Sequence, residues 1–479
     1  MLNPTIVPTP HIMEYSKDEN GKILSCCIQN SIACKEPAFF TAISAFRQYF
    51  LKLNNISFND REGGIIFLSD NSLKKNSYKI IVSEVITVSA ADPQGCLYAC
   101  SSLLQLLTCA YGKILCPVIE ISDSPETEHR GLMIDLGRHF HPFNSLLRYI
   151  DLCFAYKINY LHLHFADDII FTLPTKTLPK LTVPGKSYTR EQIAILTEYA
   201  NDRGVEIIPE IEVPGHGKPL AVNYPELFGL DRQDKTPLSV LCLCRDSSMH
   251  AVEQLIDEVI EMFPYSKYIH FGGDEADIDF WKECSVCQRY MQENNIPSVK
   301  ALYSHLIYKI SNYILSKNKK PLVWEGFPPE NSEKISRDLT VCEFESLYFL
   351  PNKIAEAGFT MINCSWQPLY VTEWRHWDIP DILSWNLYRF ENFWSNSAAY
   401  LNPIDVSDKT KVAGAQLCVW EMTYDKELSL VKANLSALSE RTWTIRRKVS
   451  TQDFMQNYET KLRPIVDKLM QDFDDCPEK

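Results

Sequence analysis

The sequence predicts an α/β protein, a (β/α)8 barrel preceded by a small α+β domain. Three observations lead there. From Arg130 onward, short apolar strands alternate with longer amphipathic segments, the pattern of parallel strands joined by right-handed crossovers. Eight such strands fit into the remaining chain. Acids, histidines and aromatics recur where those strands end, which in a barrel is the catalytic rim. An open doubly wound sheet is the rival arrangement, and no Gly-rich phosphate loop supports it.

Residues 1–122 carry strand-like runs at Gly64–Leu68, Tyr78–Val82 and Val85–Val88. A helix-period segment follows at Gly95–Ala110, opened by Asp92-Pro93. The polar stretch Asp123–Arg130 contains Pro125, so the domain boundary is placed at 122/123, with the barrel over 123–479. The barrel strands are predicted at Gly131–Leu136, Ile158–Phe165, Val205–Glu212, Lys267–Gly272, Pro321–Glu325, Thr340–Glu345, Thr360–Ser365 and Ala413–Trp420. Each but the last has room for a following helix.

The 479 residues suffice for a large core without staples, and 45% hydrophobic with 23% charged residues is ordinary globular composition. A net charge of −13 disfavours nucleic acid and anionic membranes as partners. Residues 1–20 hold three prolines and no apolar run, unlike a secretion signal. The 16 cysteines are scattered, several inside apolar runs, which favours buried thiols and a cytoplasmic setting, provided no signal has been trimmed. The oligomeric state is not legible.

The rim residues carry the chemistry. Asp274-Glu275 follows Gly272-Gly273, glycines that permit an unusual bend and close approach of a ligand. Two adjacent acids at a buried strand end cannot both ionise freely, and one becomes a general acid near neutral pH. The competing reading is a helix start capped by Asp274. His162 and His164 share one strand face; they read as packed, hydrogen-bonded histidines or, together with Asp167, as part of a metal-dependent hydrolase. Cys284-Ser-Val-Cys287 is a single CxxC without a partner pair, explained by an amphipathic surface helix. Trp324, Trp366 and Trp420 at strand ends beside carboxylates read as sugar-facing walls. Glu343 and Glu345 are rival acids.

HFGGDEAD (270–277) resembles the signature of family 20 glycoside hydrolases, the β-N-acetylhexosaminidases. RGLMIDLGRHFHP (130–142), KINYLHLHFADD (157–168), IIPEIEVPGH (207–216), SYTREQI (187–193), LVWEG (322–326) and GAQLCVWE (414–421) are similar to further family segments in order. GCLYACSSLLQLL (95–107) resembles the end of the preceding small domain. The resemblance implies an exo-acting, retaining, substrate-assisted hydrolysis of terminal N-acetylhexosamine that requires no metal or cofactor. It implies that Glu275 is the general acid, that Asp274 orients the acetamido N–H, that Tyr370 binds the acetamido oxygen, and that Asp167 and His216 form a supporting dyad. Arg130 would clamp ring hydroxyls, with Trp324, Trp366, Trp420 and Glu421 lining the pocket. Ile169, Thr372, Met422 and Phe344 depart from the family pattern, and Glu421 comes one residue early; these positions leave gluco versus galacto preference open. A catalytically silent sugar-binding barrel is the third reading.

Overall fold

The computed structural model describes residues 6–61, 63–446 and 449–471; the outermost residues of both expected domains lie outside these. Eight parallel strands, His129–Asp135, Tyr160–His164, Glu206–Glu210, Tyr268–His270, Lys320–Trp324, Thr340–Glu343, Thr360–Asn363 and Val412–Val419, pair in sequence order. The first and last close the ring, from His129 opposite Gly414 to Ile134 opposite Val419. The expected (β/α)8 barrel is therefore present. Two connections differ from expectation. The last strand is followed by the longest helix, Tyr424–Trp443. The fifth is followed only by the 3-10 turn Ser332–Lys334, in a connection whose Pro328-Pro329 withholds backbone donors from a helix.

The small domain is a six-stranded mixed sheet, ordered Ile12–Tyr15, Ile119–Asp123, Tyr78–Val82, Ile86–Ala90, Ile65–Ser69 and Ile32–Cys34. Its helices Phe40–Asn54 and Pro93–Leu106 pack against each other. The second begins as its sequence dictates: Asp92 accepts a hydrogen bond from Gly95 N at 2.8 Å, and Pro93 takes the first helical position. The terminal helix Arg463–Leu469 leaves the barrel and returns to this domain, where Lys52 Nζ donates to Leu469 O. No helix among the described residues is long and apolar enough to cross a membrane.

The barrel interior is a column of Met133, Ile208, Leu322, Cys342, Ile362 and Cys418, topped by Trp324, Phe344, Tyr370 and Trp420. Beneath it, the barrel meets the small domain through a buried polar joint. Lys157 Nζ lies 3.3 Å from Asp123 and donates to Tyr78 Oη at 2.8 Å. Trp443 Nε1 donates to Asp123 at 2.9 Å. Burial pushes the Asp123 carboxyl up, but the Lys157 charge and the hydrogen bonds from His11, Tyr78 and Trp443 outweigh it and hold it at about 2. Removing one member of such a pair strands the other without water. Lys157→Met is expected to lower stability by about 3 kcal/mol or more, read by denaturant unfolding.

Candidate active site

Strands two, three and four deliver the central acids. The chain after Tyr268–His270 runs irregularly through 271–277. Asp274 starts no helix, so the capping reading fails. Gly272 and Gly273 hold φ of 70° and 85°. A Cβ on Gly272 would sit 1.8 Å from Glu212 Oε2, and one on Gly273 2.4 Å from a Val323 methyl. Only glycine combines that backbone with that crowding. The bend places Asp274 and Glu275 side by side in one cleft of about 260 Å³. Glu275 itself has left-handed backbone, φ 45°, as does His216, φ 46°.

His216 joins the strand ends. Its Nδ1 lies 3.4 Å from Asp167 Oδ2, and its Nε2 lies 3.3 Å from Glu275 Oε2 and 3.9 Å from Asp274. Burial opposes the imidazolium, yet the hydrogen bond to Glu275 and the charges of Asp274, Asp167 and Glu275 raise it to about 10. The same hydrogen bond holds Glu275 below its ordinary value. Burial raises Asp274 to about 6, aided by the charge of Glu275 and resisted by His216. Asp274 Oδ1 is buried without a hydrogen-bond partner, whereas the Glu275 side chain is 44% exposed. The two acids thus differ in solvation, as a division of labour requires.

Tyr370, Trp366 and Trp420 line the cleft together with Phe344, Trp374, Trp377 and Phe393. Burial keeps the Tyr370 phenol well above its ordinary pKa, so it remains a neutral donor. Trp324 does not line the cleft, contrary to expectation. It is fully buried under the floor, where its Nε1 donates to Glu210 at 2.5 Å and its ring stacks on His162. Glu210 also pairs with His162 at 2.9 Å and His270 at 2.7 Å. His164 pairs with Asp135 at 2.9 Å and Glu212 at 3.3 Å. Both histidines of the His-x-His pair are thus packed members of a buried hydrogen-bonded network.

Arg130 is the clear correction. It is the second residue of its strand, at the barrel's N-terminal end, and is wholly buried there. Its guanidinium donates to Thr127 O, Lys157 O and Tyr98 Oη, beneath the ring of Trp443. It belongs to the domain joint. Two arginines do line the cleft, Arg375 and Arg138, the latter beyond the other end of that strand. Arg138 donates to Asp167 at 3.0 Å and Glu421 at 2.8 Å and lies 4.8 Å from the Trp420 ring centre. The motif 130–142 contains both Arg130 and Arg138; the strand's direction alone separates them. Glu421 lines the cleft and is fixed by its own N–H, which donates to Asp135 at 3.2 Å. Thr372 lines the cleft, whereas Ile169 points into solvent.

Glu345 sits in hydrogen-bonded contact with Glu275, and burial together with the charges of Glu275 and Glu325 raises it to about 10. It therefore holds a proton beside Glu275. Glu343 is also raised, to about 8, by burial and by Glu325, but it is turned to Ser346 Oγ at 2.6 Å.

Unequally solvated carboxylates, a bridging histidine and flat aromatic walls at a barrel rim have the layout of a glycoside-hydrolase site. The chain belongs to glycosyl hydrolase family 20. The family's catalytic-domain model matches residues 128–446, and its domain-2 model matches residues 3–124. A β-hexosaminidase of Porphyromonas gingivalis is 32% identical over 265 residues, half of this chain and 34% of that protein. One of Vibrio furnissii is 29% identical over 388 residues, 75% of this chain and 62% of that protein. The chain therefore spans between about a third and two thirds of these relatives' lengths. Among solved structures, the exo-β-N-acetylglucosaminidase of Vibrio harveyi, in complex with N-acetylglucosamine, superposes with a TM-score of 0.82 at 23% identity, covering 98% of this chain and 78% of that one. The β-N-acetylhexosaminidase of Bacteroides fragilis gives 0.80 at 23% identity, covering 97% and 96%.

Two outcomes follow from this geometry. Arg138→Ala removes charge-assisted hydrogen bonds worth about 1.5–3 kcal/mol, so kcat/KM for a cleft ligand should fall by about tenfold to a hundredfold, while Arg130→Lys acts on thermal stability and spares KM. The raised His216 contributes stability that is fully present below about pH 6.5 and is lost as pH rises through about 10. Melting curves of wild type and His216→Gln should therefore differ at neutral pH and converge above that point.

Proposed function

We propose that the protein hydrolyses terminal β-linked N-acetylhexosaminides with retention, the substrate's own acetamido group acting as nucleophile. The observation that carries this reading is the pairing in one cleft of a buried Asp274, one oxygen unpartnered, with a half-open Glu275 tied to His216. The acetamido N–H supplies the donor that Asp274 Oδ1 lacks. Tyr370 donates to the acetamido oxygen and aligns it with the anomeric carbon.

In the first step the acetamido oxygen bonds to the anomeric carbon as the glycosidic C–O bond breaks. Glu275 gives its proton to the leaving oxygen. The ring nitrogen of the oxazolinium carries the positive charge, and ionised Asp274 stabilises it. In the second step Glu275 takes a proton from water, whose oxygen bonds to the same carbon while the acetamide re-forms. Two inversions give net retention. In the free protein Glu275 is held low by His216; a sugar covering the open carboxyl removes water and favours its protonated form. Protonated Glu345, hydrogen-bonded to Glu275, favours the ionised form that takes the proton from water in the second step.

Arg138 and Glu421, at 2.8 Å from each other, offer a donor and an acceptor to ring hydroxyls, the task first assigned to Arg130. The aromatic walls fit the apolar face of a pyranose. A glycan bearing terminal N-acetylhexosamine is the proposed partner. The free thiols among the described residues support a reducing, cytoplasmic compartment as part of this proposal.

An aryl β-N-acetylglucosaminide and its 2-hydroxy counterpart test the reading. Turnover of the first only is expected; equal turnover of both would remove the acetamido nucleophile. Glu275→Gln should lower kcat by about 10²–10⁴. Since Asp274 must be ionised, kcat/KM should fall as pH drops through about 6, and Asp274→Asn should abolish that acid limb.

A further inference from the structure

Three thiols meet, with a fourth two residues from one of them, where the connection after the third barrel strand touches the connection after the fourth. Cys242 and Cys244 come from the first, Cys284 and Cys287 from the second, and all four are buried. Cys242 Sγ lies 3.9 Å from Cys284 Sγ and 3.6 Å from Cys287 Sγ, and the three sulfurs all fall within 4.8 Å of one another. Cys244, two residues along from Cys242 and likewise buried, lies outside this set of three and is the fourth thiol of the site. Thiolates around a tetrahedral zinc, with Zn–S of about 2.3 Å, stand about 3.8 Å apart. A disulfide requires about 2.05 Å, and the four cysteines are free.

The amphipathic surface helix expected at this CxxC is present, with Cys287 and Met291 on its buried side, but the pair is not without partners. Cys284 and Cys287 open the helix Ser285–Glu293 from inside the protein, and the Cys-x-Cys pair completes the set. The surroundings suit anionic sulfur. Asp231 N–H donates to Cys284 Sγ at 3.3 Å. Outer contacts of this kind orient metal ligands.

We propose that Cys242, Cys244, Cys284 and Cys287 bind one zinc ion as a closed structural site. Zinc displaces four thiol protons and forms four Zn–S bonds, leaving a net charge of −2 with no change of oxidation state. Four protein ligands leave no open position, so the ion takes no part in the reaction. Its place gives it another task. The 239–241 segment holds the His216 loop through Gly217 N–H to Ser239 O at 2.8 Å and Leu241 N–H to Pro214 O at 2.9 Å. Trp281, in the connection that carries Glu275, donates to Leu241 O at 3.0 Å. The ion would pin these two connections together and so fix the imidazole against its carboxylate from behind. The inference stands on the thiol geometry and is independent of the proposed reaction.

The test is metal content of the full chain purified with its thiols reduced, measured by elemental mass spectrometry. One zinc per chain is expected, lost in Cys244→Ser and Cys287→Ser and kept in Cys109→Ser, a thiol of the small domain. Because a ligand variant can fail to fold, wild-type protein stripped of metal is also loaded with Co2+. Thiolate-to-cobalt charge transfer with tetrahedral d–d bands supports the site. Folded, reduced wild-type protein that takes up neither zinc nor cobalt overturns it, as does peptide mapping that finds a disulfide among the four.

Discussion

One imidazole holds three strand ends in register. Asp167 follows the second strand, His216 the third, and Glu275 the fourth; His216 faces both acids. A barrel supplies rigid strands but leaves its rim loops free, so a site assembled from several loops needs cross-ties at the rim. Here the tie is ionic and enclosed. Its strength comes from removing the imidazolium from water only where carboxylates surround it, which raises His216 rather than lowering it. The same bond sets the resting state of Glu275, so the structural link and the proton inventory of the cleft cannot be varied separately.

The second layer keeps this tie in place. Gly272 and Gly273 let the backbone pass within contact of Glu212 and Val323, and Tyr303 Oη holds Gly273 O at 2.5 Å from below. Arg138 ties Asp167 to Glu421 across the rim, so the first, second and eighth strands are linked as well. Buried acids remain, notably Glu325, held at about 7 by burial against hydrogen bonds from Phe349, Tyr348 and Leu347. Behind the cleft the interior is therefore rich in acids, and burial shifts Glu325, Glu343 and Glu345 toward their protonated forms.

The barrel and most of the rim could be read from sequence because strand periodicity and the Gly-Gly-Asp-Glu turn are local signals. Arg130 and Arg138 show where local reading stops. They share one motif, yet five residues of extended chain, roughly 17 Å, carry one to the domain joint and the other beyond the opposite end. Trp324 fails for a related reason: the last residue of a strand can face the barrel axis below the floor as readily as the cleft above it. Cys242 and Cys244 were hidden because an LCLC run reads as apolar core; only folding brings it against the later pair. The fifth connection was overestimated because its length allowed a helix that its prolines forbid.

The joint beneath the barrel limits what can move. Arg130 and Lys157 are wholly enclosed between the two domains, and tilting one domain against the other would expose cations whose partners sit on both sides. The buried joint thus makes the small domain a fixed base plate rather than a hinged jaw, and leaves freedom of movement to the upper loops.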